Sequence, residues 1–243
     1  MLTNVAKAVR TLTRRLGVDL VRYEPTRSVN QRRLRLIQSQ GVDLVVDVGA
    51  NIGQYVSALR TDGYRGQVVS FEPLGDAFAA LSTRARNDGA WRAVRSAVGR
   101  EAGTVSLNVA GNSFSSSMLP MLSKHLANAP DSKYTRVEQV PMDTLDELTV
   151  DLRKQFERLY LKIDVQGLEG QVLDGAAETL SRVRALECEL SLVPLYEGQS
   201  MFTEIVDRLQ RSGFGLVSIE PGFADQKTGQ LLQVDGIFVA IGV

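Results

Sequence analysis

Leu44-Val45-Val46-Asp47-Val48-Gly49-Ala50-Asn51-Ile52-Gly53, residues 44–53, decides the fold. Its first five residues form a short apolar run rich in β-branched side chains, the pattern of a strand covered on both faces of a parallel sheet. Gly49 ends the run. From Gln54 onward Tyr55, Val56, Ala58 and Leu59 follow helical spacing, so the segment is strand, glycine turn, helix. Such a corner suits a nucleotide. The missing Cβ at Gly49 lets a ligand approach the backbone, Gly53 lets the helix pack tightly on the strand, and free N–H groups at the helix start attract polar or anionic groups.

Spacing narrows the ligand. Gly49-Ala50-Asn51-Ile52-Gly53 is not the Gly-x-Gly-x-x-Gly of dinucleotide folds, and it lacks the Gly-Lys-Ser/Thr ending of a P-loop. The next apolar run, Gln67 to Phe71, ends in Glu72-Pro73, which puts a carboxylate at the tip of the second strand, where it can accept both hydroxyl protons of a ribose. An adenosine without a phosphate cradle follows. S-adenosylmethionine (SAM) fits that description, with Asp47 at the end of the first strand facing its amino group. A plainer alternative is that Asp47 and Glu72 cap the helices after them.

Outward from this corner the pattern alternates. A helix from about Gly75 to Arg86 leads to a third strand, Trp91 to Val98, whose end at Ser96 and Ala97 lies beside the adenine; a plain strand-to-turn junction is the alternative for Ser96. Thr104 to Val109 alternates as an extra antiparallel strand. Residues 111–136 are irregular and hold the single histidine, His125, with Met118, Leu119, Met121 and Leu122, a composition expected of a lid. Val137 to Val140 reads as a strand before a helix start at Asp143-Thr144-Leu145-Asp146. Arg158 to Val165 is a buried strand, followed by a helix over 168–182, a strand from Ala185 to Leu192, a helix from about Met201 to Ser212, and strands Phe214 to Ile219 and Val234 to Ile241. The order predicts an α/β fold: a doubly wound, Rossmann-like seven-stranded sheet with an antiparallel last strand, its ligand outside the strands' carboxyl ends.

Residues 1–40 are expected to be an N-terminal helical arm, and 41–243 the nucleotide-binding domain. Val5, Val9, Leu12 and Leu16 recur at helical spacing in residues 1–23, with Lys7, Arg10, Arg14, Arg15 and Arg22 against one acid, Asp19. This basic amphipathic helix can lie on an anionic membrane surface, although packing its stripe on the domain is the expected arrangement. A second helix runs from about Asn30 to Gln40.

Composition sets the outer bounds. At 243 residues, 44% hydrophobic and 23% charged, the chain has the makeup of a globular protein with a full core. Lys and Arg number 28, as do Asp and Glu, so no net field attracts nucleic acid. The single Cys188 and single His125 leave no disulfide pair, cysteine cluster or multi-histidine site. The lack of an apolar spanning run or signal-peptide core gives a cytoplasmic expectation, with membrane association through the basic helix.

With those residues placed, the chain resembles the FkbM-type SAM-dependent methyltransferases over about residues 40 to 240. The matching motifs are residues 46–53, Phe71-Glu72-Pro73, Ser96-Ala97-Val98-Gly99, Asn112-Ser113 with Ser115-Ser116-Ser117, Thr144-Leu145-Asp146 and residues 161–169, LKIDVQGLE. One departure is Gln166, where many relatives carry an acid. The resemblance implies the seven-stranded class I methyltransferase fold, SAM as cofactor, and O-methylation of a hydroxyl, often on a sugar of a glycolipid or natural product. It names neither the acceptor nor an oligomeric state.

The cofactor-binding residues expected from these motifs are Asp47, Gly49, Asn51, Gly53, Glu72, Ser96 and Ala97. A sugar hydroxyl must lose its proton as it accepts a methyl group, which calls for a general base or a metal. Asp164, closing the strand beside the cleft, is the first candidate; its alternative role is to cap the helix from Gly167. His125 is the second, with a surface position as the alternative. Glu187 and Glu189 share one face of a strand, with Cys188 opposite, and either can orient substrate or join Asp164 around a divalent cation such as Mg²⁺. The competing class is a non-catalytic module that binds SAM or adenosine.

Overall fold

The computed structural model describes residues 2–20 and 28–242. Helix α1 (Leu2–Arg15) and helix α2 (Val29–Ser39) precede strand β1 (Leu44–Val48). Helix α3 (Gln54–Thr61), β2 (Gln67–Phe71), α4 (Gly75–Arg86) and β3 (Trp91–Val94) follow, then three strands of a second sheet, β4 (Ala97–Gly99), β5 (Gly103–Ala110) and β6 (Tyr134–Thr144). Between β5 and β6 lies the short helix α5 (Ser123–Asn128). The chain returns to the main sheet through α6 (Leu145–Leu148), α7 (Val150–Gln155) and β7 (Leu159–Ile163), then α8 (Glu169–Asp174), α9 (Ala177–Leu180), β8 (Val183–Ser191), α10 (Phe202–Arg211), β9 (Phe214–Pro221) and β10 (Gln233–Ala240).

The seven-stranded sheet has the order β3-β2-β1-β7-β8-β10-β9. Pairs from β3 to β8 are parallel, and β10 is antiparallel to both neighbours, so the antiparallel last strand is observed. Alternate residues of each buried strand enter opposite cores. Val45 and Tyr160 join Leu34, Ile37, Val56, Leu59 and Leu81 of α2, α3 and α4. Val46, Val48, Leu161 and Ile163 join Leu145, Val172, Ile205 and Leu209 of α6, α8 and α10. Each face therefore carries its own helix layer, as double winding requires. The strand order reverses between β1 and β7, and their carboxyl ends form the switch point.

Three expectations change. The third strand is split: after Val94 the chain leaves the sheet at Arg95, whose guanidinium bonds Glu138 and the Pro73 carbonyl, and Ala97–Gly99 pairs with β6 in the second sheet. The helix over 168–182 is broken at Gly175, whose carbonyl is diverted to the Asp146 N–H. The apolar stripe of α1 is not packed on the domain: Val9, Leu12 and Leu16 are exposed, Leu16 to 78%. Arg22 lies outside the described residues, as does the Val5 side chain. Helix α2, by contrast, is part of the core through Leu34 and Ile37.

Candidate functional site

A cavity of about 260 Å³ opens at the switch point, walled by Gly49, Asn51, Glu72, Ser96, Ala97 and Asp164, with Leu74, Val98, Leu107 and Met118 as an apolar side. Gly49 has φ +77°, and a Cβ there would stand 1.8 Å from the Asp164 carbonyl oxygen. Only glycine lets the two strand ends approach that closely. The N–H groups of Gly49 and Ala50 both donate to the Phe71 carbonyl, and that of Asp164 to Val48, so the ends of β1, β2 and β7 are tied together. Gly53 does not line the cavity. A Cβ on it would sit 2.7 Å from the Trp91 ring, so its part is close packing of α3 on the sheet.

Glu72 is buried, with one carboxylate oxygen accepting the Asn51 N–H at 2.8 Å and the other the Leu74 N–H at 2.9 Å. Burial pushes its carboxyl up to about 7. Each oxygen keeps a further lone pair for a diol, and the two backbone bonds fix the loops that lead into α3 and α4. The helix-start contacts therefore do not use up the carboxylate's acceptor capacity, and the two roles that sequence left as alternatives are compatible.

Asp47 does not reach the cavity. It is fully buried in β1, where its carboxylate accepts from the Ser70 hydroxyl and lies 3.4 Å from Lys162 Nζ. The cross-strand register pairs Asp47 with Lys162, and Lys162 also stands 3.4 Å from Asp164 and donates to the Gly49 carbonyl. Burial works against the ammonium charge, yet Asp164 and Asp47 more than offset it and raise its pKa. Lys162 was missed from sequence. A lysine inside the apolar run LYLKI had to have a carboxylate partner, and that signal was available.

Asp164 faces the cavity with one oxygen toward Lys162 and the other accepting from Gln166 Nε2 at 2.9 Å. It caps nothing: the N–H groups of Val165 and Gly167 go to Glu169, whose burial raises its carboxyl to about 7. Gln166 is the hub of this region. Its Nε2 also donates to Glu189, its Oε1 accepts from the Tyr196 hydroxyl, and its carbonyl accepts from Ser117. Asn51, Ser113 and Gln166, the non-glycine residues with left-handed backbone among those described, all line the cavity. Such strain persists where surrounding contacts over-determine it, commonly at functional sites.

His125 is neither on the surface nor in this cavity. It is 2% exposed, packed in α5 against Tyr196 and Phe223, and burial lowers its pKa. Its ring borders a second hollow next door. The segment expected to be an irregular lid has α5 within it, and its last residues belong to β6; Ser113, Phe114, Ser116 and Met118 of its first half wall the cavity. Glu187 turns away altogether, accepting from both arms of Arg33 and from the Tyr55 and Tyr160 hydroxyls. Among the described residues no His, Cys, Asp and Glu group is placed to hold a metal ion. Gln166 and Lys162 occupy the positions around Asp164 that a shared cation would need, so the Mg²⁺ expectation finds no donor set.

The donor set fits an adenosine: a carboxylate with spare lone pairs at the tip of β2, Ser96 and backbone at the far wall, and an apolar side for a flat ring. The Methyltransferase FkbM domain matches residues 47–216 of the chain. No curated protein matches it. Similar solved structures include a Methyltransferase FkbM from Methylobacillus flagellatus KT, with 16% identity over 80% of this chain and 43% of that one and a TM-score of 0.47. A SAM-dependent methyltransferase from Mesorhizobium loti shares 9% identity over 89% of this chain and 100% of that one, at 0.46. Aeropyrum pernix fibrillarin, in complex with natively bound S-adenosyl-L-methionine, shares 11% over 85% and 74%, also at 0.46. The chain spans less than half the length of the first of these.

Proposed function

The chain belongs to the FkbM methyltransferase family, and from that premise we propose that it is a SAM-dependent O-methyltransferase acting on a hydroxyl of a sugar in a glycolipid or natural product. The observation that carries this reading is Glu72, a buried carboxylate aimed into a cavity whose glycine turn offers no phosphate cradle. Glu72 would hold the ribose hydroxyls, Ser96 and Ala97 the adenine edge, and Gly49 and Asn51 the approach to the methionine portion. When bound, SAM supplies a methyl group on a sulfonium, which passes to the acceptor oxygen while the electron pair of the broken C–S bond stays on sulfur. Asp164 takes the acceptor's proton, with Lys162 balancing its charge and Gln166 fixing its orientation. Incubating glycolipid extract with the protein and methyl-labelled SAM, then locating label by mass spectrometry, tests the reading. SAM binding without transfer to any hydroxyl would favour the non-catalytic module instead.

Glu72 gives this reading a pH signature. Below about pH 7 the empty site holds a proton on Glu72, and a ribose diol, which donates two hydrogen bonds, prefers the ionised form. SAM affinity is therefore expected to tighten as pH rises toward 7, by up to about tenfold per pH unit, and to level off above it. Glu72→Gln should flatten that slope and weaken binding about 10–150-fold, the equivalent of a lost charged hydrogen bond of about 1.5–3 kcal/mol. Titration calorimetry between pH 5.5 and 8 reads both. A wild-type slope shared by the variant would remove Glu72 from the ribose.

The exposed stripe of α1 offers a route to a lipid-linked acceptor. Val9 and Leu12 on α1 and Leu16 just past its end present apolar surface beside Lys7, Arg10, Arg14 and Arg15, of which Arg10 and Arg14 pair with Asp19, the composition of a helix that lies in an anionic interface. Among the described residues no helix is long and apolar enough to cross a membrane. The protein is expected to co-sediment with phosphatidylglycerol vesicles, to release at high salt, and to lose binding in Leu12→Asp/Leu16→Asp with SAM affinity unchanged. Equal sedimentation of the double variant would exclude α1 as the anchor.

A further inference from the structure

Beside the cofactor cavity lies a second hollow of about 260 Å³, bordered by Asn112, Phe114, His125, Phe223 and Gln233. The two share Phe114, Gln166 and Glu189 as a common wall. The geometry points to this hollow as the acceptor subsite, built for a neutral, hydroxyl-bearing ring that reaches across Glu189 toward the cofactor cavity. The inference rests on the methyltransferase reading and adds the place and charge of the acceptor.

Four features carry it. Glu189 is held through one oxygen by two carboxamides, Gln166 Nε2 at 2.9 Å and Gln233 Nε2 at 2.7 Å, while its other oxygen has no hydrogen-bond partner among the described residues. His125 is 2% exposed, and its Nδ1 is likewise unpartnered while Nε2 meets the Ser115 hydroxyl. Nδ1 is itself out of reach from the hollow, so His125 contributes wall rather than a hydrogen bond to an occupant. Phe223 and Phe114 supply apolar faces for the carbon side of a ring, with carboxamides for its hydroxyls. Finally, no Lys or Arg borders the hollow among the described residues, while Asp235 stands opposite Glu189 in the sheet register and Asp164 is linked to it through Gln166. Burial pushes Glu189 well above the usual carboxylate range, and Asp164, Glu169 and Asp235 add to the shift. An anionic acceptor would place one more negative charge among these groups with no cation lining the hollow to receive it, Lys162 being already held between Asp47 and Asp164. A hydroxyl, both donor and acceptor, satisfies Glu189 in either protonation state.

The test is binding, read by saturation-transfer NMR with and without SAM. The probes are neutral methyl hexosides and 6-deoxyhexosides, the matched methyl glucuronide, and an octyl glycoside below its micelle concentration. At least one neutral glycoside is expected to saturate and the glucuronide to bind at least tenfold more weakly. Gln233→Leu and Phe223→Ala, which border this hollow and not the cofactor cavity, should each weaken the glycoside at least tenfold with SAM affinity within twofold. A tighter octyl form would identify a lipid-linked source, and equal affinity a free one. Absence of any neutral binder, a glucuronide that binds as well, or unaffected variants would each overturn the assignment. If SAM itself does not bind the wild type, the cofactor reading fails, and the glycoside arm run without SAM still decides the hollow.

Discussion

Asp164→Asn is expected to lower kcat by about 10²–10⁴-fold, or roughly 3–5 kcal/mol of transition-state stabilisation, with SAM affinity nearly unchanged. The substitution keeps the side chain's size and its ability to accept from Gln166 Nε2. Lys162 retains Asp47 at 3.4 Å and the Gly49 carbonyl at 3.1 Å, so the buried cation is not stranded and the fold should survive. What disappears is the carboxylate that closes β7 and faces the cavity beside the Gly49 turn. Loss of kcat with intact SAM binding is the signature of a group used in the chemical step rather than in ground-state binding. A chelator should leave wild-type rates unchanged, because Gln166 and Lys162 stand at the Asp164 oxygens. Near-normal turnover in Asp164→Asn would reduce Asp164 to a counter-charge for Lys162. It would also shift the proton-acceptor role to Glu189, which shares Gln166 with it.

The parts of this molecule that were legible in sequence are those whose cause is local. The β-branched run before Gly49, the change to helical spacing at Gln54 and the carboxylate after Phe71 each announce themselves within a few residues, and alternation along the chain supplies the doubly wound architecture with its antiparallel last strand. What sequence concealed depends on register and on contacts between distant segments. Lys162 lies beside Asp47 only because β1 and β7 align as they do. Gln166 of the loop after β7, Glu189 of β8 and Gln233 of β10 meet at one carboxylate. His125 sits in a stretch whose small polar residues suggest exposure, yet Tyr196 and Phe223, far along the chain, cover it. The split at Arg95 follows from Glu138 in the second sheet, which no local pattern between Trp91 and Val98 reveals.

Glu187 shows the same limit most sharply, and removing its partner should destabilise the fold by about 3–5 kcal/mol. Sequence placed Glu187 and Glu189 on one face of a strand and offered both to the substrate. Glu187 instead receives Arg33, 154 positions earlier in the chain, in a two-pronged pair buried on both sides. The Tyr55 hydroxyl at 2.9 Å and the Tyr160 hydroxyl at 2.7 Å complete its acceptors. Arg33 belongs to α2, so this pair fastens the second N-terminal helix to the centre of the sheet beside Leu34 and Ile37. Arg33→Met would leave a carboxylate in the core with two hydroxyls and no directly paired cation, only the field of Lys162 on the neighbouring strand, an unfavourable state. The expected fall in Tm is about 6–20 °C for a domain of this size. Arg33→Met/Glu187→Leu should recover part of the loss by removing the stranded charge, though not all, since Tyr55 and Tyr160 would then lack their acceptor. At a temperature where Arg33→Met remains folded, its SAM affinity and kcat should match the wild type, because neither residue reaches the cavity. A variant with wild-type Tm would show that α2 is not held by this pair, and a folded variant with collapsed kcat would return Glu187 to the chemistry.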